Sequence, residues 1–94
     1  MSIGVLYLHI QLPGCLSLKS KRSRIKPLLA RLHRQFNISA AEINYLDTWN
    51  ESLIACAQIS NNAIHTRRCL QKIIPWVEKH WPDIEIIDDQ IEMY

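Results

Sequence analysis

The chain predicts an α+β fold: a four-stranded antiparallel sheet with two helices on one face. Three observations carry this. Hydrophobic spacing alternates between a period of two and the helical three-and-four rhythm, giving the order strand, helix, strand, strand, helix, strand. The first and third strand stretches are nearly free of charge, as central strands are, whereas the second and fourth carry charges suited to sheet edges. The 94 residues suffice for one domain with a single modest core. Together these give the ferredoxin-like βαββαβ plan, spatial order 4-1-3-2.

Ile3 to Leu12 is the first strand. Leu6, Leu8, Ile10 and Leu12 form its more apolar face, and Val5, Tyr7, His9 and Gln11 the other. Pro13-Gly14 breaks it. Ser17 to Phe36 is an amphipathic helix with Ser17 as N-cap. Leu18, Ile25, Leu28, Leu29, Leu32 and Phe36 share one face, which must meet a core because each buried side chain contributes roughly 1.5–3 kcal/mol. Pro27 falls opposite that stripe, where water can satisfy the freed carbonyl, so a bend toward the core is expected.

Asn37 caps the helix, and Ile38 to Leu46 is a charged edge strand. Asp47 to Glu51 is a polar hairpin containing Trp49, and Ser52 to Ser60 is a central strand. Small Ala55 and Ala57 on it would admit a helix closely. Ser60-Asn61-Asn62 starts a second helix that runs to about His80, with Ala63, Leu70, Ile73, Ile74, Val77 and Trp81 toward the core and Pro75 outward. Ile84 to Tyr94 is the last strand. Its apolar residues change phase between Ile86 and Ile87, which predicts a bulge or strong twist.

Composition narrows the function classes. The chain is 48% apolar and 21% charged, hence globular. Three cysteines without a close pair suit a reducing cytoplasm. The first apolar run is too short to span a membrane and lacks the flanks of a signal peptide. A net charge of +2 conceals a basic pole: Lys19, Lys21, Arg22, Arg24, Lys26, Arg31 and Arg34 lie on the first helix, with no acid between Met1 and Ala41. These cations repel one another, and those near the helix N-terminus oppose its dipole. An anionic partner would relieve both costs; a merely solvated face is the plainer alternative.

LPGCLSLKSKR, FNISAAEINYLDTWNESLIACAQISN and IEIIDDQIEMY resemble the blocks of the YlxP-like family of small bacterial proteins, over nearly the whole chain. The resemblance implies the same ferredoxin-like fold and assigns no catalytic residue. Members are often encoded beside translation and ribosome-maturation factors, which implies a role around ribosomal RNA. Ser20 stands where the family more usually has Glu, so the capping box with Ser17 is incomplete.

The expected function is therefore RNA binding, with ribosomal RNA or a ribosomal subunit as partner, by a non-enzymatic cytoplasmic protein without metal or cofactor. Phosphates would contact the seven cations of the first helix, with Trp49 adding a shape-dependent contact or else folding back on Tyr45. Gly14 and Ser17 mark a candidate anion loop, for which a plain capped turn is the alternative. A second reading is a protein-interaction module, as a homodimer or with an acidic partner. A third, a small phosphate or acyl-phosphate hydrolase, lacks the Gly-rich loop with an embedded Arg. Cys15 near the helix N-terminus is a candidate reactive thiol, and His65 with Cys69 is an incomplete metal pair. The uncovered sheet face is expected to present Tyr7, His9, Glu42, Asn44, Cys56 and Gln58, either as a base-stacking platform or as a homodimer contact or plain solvated face.

Overall fold

A computed structural model describes residues 1–94. The elements are β1 (Ser2–Gln11), α1 (Leu18–Phe36), β2 (Ser39–Asn44), β3 (Glu51–Ser60), α2 (Ala63–His80) and β4 (Glu85–Met93). All strand pairs are antiparallel, in the order β2-β3-β1-β4, which is the expected arrangement. Both helices cover one sheet face, and the core lies between.

Helix ends follow from local chemistry. The Ser17 hydroxyl accepts from the Ser20 amide at 3.0 Å, and Asn37 closes α1 in the left-handed region at φ 49°. The Asn62 side chain accepts from the amides of Ile64 and His65 to start α2. Pro27 and Pro75 both lie on exposed outer turns.

Leu6, Leu8, Ile10 and Leu12 meet Ile25, Leu28 and Leu32 of α1 and Leu70, Ile73 and Val77 of α2 in one core. The register shift opposite His9/Ile10 leaves Ile87 unpaired, the bulge that the phase change in β4 predicts.

Two assignments of face are corrected. In β3, Ser52, Ile54, Cys56 and Gln58 lie opposite Ile10, Leu8, Leu6 and Gly4, so they face the helices. Cys56 and Gln58 therefore leave the open face, and so does Glu42, which pairs with Ile54. The stretch is apolar on both sides, and alternation alone does not set its phase. Ala55 and Ala57 consequently lie on the open face. The close approach of a helix occurs instead at Gly4, where a Cβ would come within 2.8 Å of Thr66 Cγ2 and 2.9 Å of Leu70 Cδ1.

Candidate nucleic-acid interface

The seven cations of α1 divide into two groups. Lys19, Arg22, Lys26 and Arg34 are exposed, with no ion pair. The other three are engaged. Lys21, expected among the phosphate contacts, is 2% exposed. Its Nζ lies 2.7 Å from Glu42 Oε2 and donates to the Tyr45 carbonyl. Its position explains this: Lys21, Ile25, Leu28 and Leu32 recur at spacings of four and three, so Lys21 belongs to the buried stripe. Burial this deep requires a partner, and Glu42 supplies it, itself accepting from the Ser52 hydroxyl. Lys21 is thus a tie between α1 and the β2–β3 hairpin, unable to reach an RNA backbone.

Arg24 is a second tie. Its guanidinium donates to the Pro13 carbonyl at 3.1 Å, to the Asp83 carbonyl at 2.9 Å and to the Asp83 carboxylate at 3.1 Å. It links the loop before α1 to the loop after α2. Arg31 lies 5.2 Å from both the Trp76 and Trp81 rings, a cation–π arrangement that joins the two helices while leaving the side chain open to solvent.

The structure adds a group the sequence reading missed. Every one of the eleven Lys and Arg residues lies on a helix, because Arg67, Arg68, Lys72 and Lys79 all stand exposed on α2. Of the nine acids, only Glu78 is helical; the others lie on strands and loops. Charge is therefore segregated by layer, basic on the helices and acidic on the sheet and its loops. A tally by element, rather than by the densest run, would have found the α2 cations.

The loop before α1 is a capped turn. Gly14 sits at φ 76°, and Cys15 closes the turn by donating its amide to Leu12. The nearby hollow is lined by Gln11 to Leu16 and Asn50, with no Lys or Arg among them. Lys21 points away into Glu42, so the anion loop around Gly14 and Ser17 lacks a cation it was expected to share. Cys15 is buried, with its thiol donating toward the Ser17 carbonyl at 3.6 Å. The Cys56 thiol is pushed up to about 12 by burial. Neither suits nucleophilic chemistry. Cys69 is half-buried, 3.5 Å from His65 Nε2.

Trp49 is 52% exposed at the hairpin, beside the turn before α1 through the bond from the Leu12 amide to the Asn50 carbonyl. Tyr45 does not hold it. At φ 61°, Tyr45 instead stacks its ring on His9, 5.0 Å between centroids and 6° from parallel. No helix is long and apolar enough to cross a membrane.

Residues 3–91 match the family model described as a protein of unknown function (DUF503). The chain is also similar to the uncharacterized protein YlxP of Bacillus subtilis (strain 168), 36% identical over 69 residues, which is 73% of this chain and 74% of that one.

Proposed function

The chain belongs to the DUF503 family of YlxP-like proteins, and we propose that this member binds structured RNA, in particular ribosomal RNA, through the outer surface of its helical layer. The observation that carries the reading is the confinement of all eleven cations to the two helices, nine of them exposed and free of ion pairs. Lys19, Arg22, Lys26 and Arg34 form the α1 part of the surface, and Arg67, Arg68, Lys72 and Lys79 the α2 part. Arg31 remains open to a phosphate on its solvent side.

Such a surface neutralises phosphates and releases their counterions, which makes binding steeply salt-dependent. It positions the protein without reading bases, so selectivity falls to RNA shape, with Trp49 as a contact at one end. The free thiols suit a reducing compartment, the cytoplasm where ribosomes work.

The test is fluorescence anisotropy with a labelled RNA stem-loop over a salt series. Four α1 contacts alone give a log–log slope of about −3 on single-stranded segments, steeper if α2 joins. A variant carrying Arg22→Glu, Lys26→Glu and Arg34→Glu should lose most of the affinity and most of the slope. A salt-independent signal, or an unaltered variant, overturns the reading.

A further inference from the structure

The sheet face away from the helices is uncovered, and its chemistry is the opposite of the helical layer's. Two of its features are independent of each other. The first is a hollow of about 260 Å³ floored by Tyr7, His9, Tyr45 and Leu53. His9 and Tyr45 stack in parallel there, and His9 Nε2 is buried without a hydrogen bond of good geometry, although Glu51 Oε2 lies 3.0 Å away. The second is the rim. Asp88, Gln90 and Glu92 of β4 line the same hollow, and no Lys or Arg stands on any strand. Glu92 accepts from the phenol of Tyr94, whose OH also meets Tyr7 at 3.2 Å, which holds the carboxylate beside the aromatic floor.

Charge decides among three occupants. A base stacked on Tyr7 and His9 would bring its phosphate to a face with carboxylates and no cation, so this sheet repels the RNA that the helices attract. A second copy placed face to face would set Asp88, Glu92 and Glu51 against the same acids of its partner. A cationic side chain meets neither cost. A guanidinium is planar, stacks on Tyr and His rings, and donates in the plane to carboxylates, all of which this hollow provides together.

We propose that the open sheet face is a docking site for a basic protein segment, with one arginine side chain seated between the Tyr7/His9/Tyr45 floor and the Asp88/Glu92 rim. The flat flank made by Ala41, Ala55 and Ala57 leaves room for the rest of an extended segment. Lys21 supports the site from behind: its bond to the Tyr45 carbonyl fixes the backbone whose ring forms the hollow's wall. The protein would then join two partners, an RNA on its helices and a basic polypeptide on its sheet. The sheet site stands independently of the RNA reading, since no residue is shared.

The test is a titration of the ¹⁵N-labelled protein, followed by amide chemical shifts, with acetyl-Gly-Arg-Gly-amide. The same peptide with citrulline in place of arginine keeps the shape and removes the charge, and adenosine monophosphate probes base stacking. The arginine peptide should shift Tyr7, His9, Tyr45 and Gln90 saturably, with Kd near the millimolar level that about −4 kcal/mol represents. Citrulline should bind at least several-fold more weakly, as should arginine to a variant carrying Asp88→Asn and Glu92→Gln. Both substitutions lie at an exposed or half-buried edge and leave the remaining spectrum in place. Equal binding of citrulline, shifts confined to the helices, no saturable shift, or the same shifts with the nucleotide would each overturn the proposal.

Discussion

Replacing Lys21 by methionine separates its burial from any role in binding. Methionine keeps most of the apolar stem, so the change removes the ammonium and little packing. Glu42 is then left with the Ser52 hydroxyl alone, while the Tyr45 carbonyl keeps the Thr48 amide as its donor. Breaking one side of a buried ion pair costs about 3–5 kcal/mol. Glu42 retains 18% exposure and a hydroxyl partner, which places Lys21→Met near the lower end, about 3 kcal/mol. Glu42→Leu leaves a more deeply buried ammonium behind and should cost at least as much. The double variant loses both charges together. It leaves only the Ser52 hydroxyl short of a partner, at about 1–3 kcal/mol, since the Tyr45 carbonyl still accepts from the Thr48 amide. Urea unfolding of the four proteins, analysed by linear extrapolation, closes the cycle. With m of about 1 kcal/mol/M, Lys21→Met should lower the midpoint by about 3 M, with a coupling energy of about 3 kcal/mol or more. A single variant within about 0.5 kcal/mol of the parent, the range of ordinary surface changes, would refute the structural role of Lys21.

Other consequences are open to simple measurement. Gly4→Ala should destabilise by about 1–3 kcal/mol in chemical unfolding, because Thr66 is branched and held by Ser60. Thr66→Ser in the same background removes the clashing methyl, keeps that hydrogen bond and should recover part of the loss. Cys69 should be the one thiol that reacts readily with a disulfide reagent in the native protein, with Cys15 and Cys56 reacting only on unfolding. Since the folded pKa of Cys56 is raised from 9.0 to about 12, folding keeps the thiol protonated while the unfolded chain ionises it. This contribution is full below pH 9.0 and is lost as pH rises toward about 12. Cys56→Ala should flatten that part of an alkaline stability profile, and an unchanged slope would count against the assignment.

Much of the fold was legible in the residues. Charge told central strands from edges, caps placed both helix starts, and the apolar phase at Ile86/Ile87 marked the β4 bulge. What escaped was the phase of a strand apolar on both sides. In Ser52 to Ser60, small and apolar residues occupy both faces, and only pairing with β1 decides which ones the helices cover. The basic helix was legible as a whole but not residue by residue. Lys21 sits on the Ile25/Leu28/Leu32 spacing, a signal present in the sequence, whereas its partner Glu42 comes from a different element and appears only on folding. The ties made by Arg24 to Asp83 and by Arg31 to two tryptophans are likewise tertiary. The cations of α2 were visible all along, spread too thinly to stand out beside the first helix.

Co-sedimentation with ribosomal subunits on a sucrose gradient, at low and raised salt, tests the central claim most directly. The parent protein should travel with a subunit at low salt and be released at raised salt. Arg22→Glu, Lys26→Glu and Arg34→Glu together, in a variant whose unfolding midpoint is unchanged, should leave the protein at the top of the gradient. Arg67→Glu with Arg68→Glu should weaken migration if α2 shares the surface. Parent protein that stays at the top at every salt concentration, or a charge-reversed variant that migrates with the subunits as well as the parent, would contradict RNA binding by the helical layer.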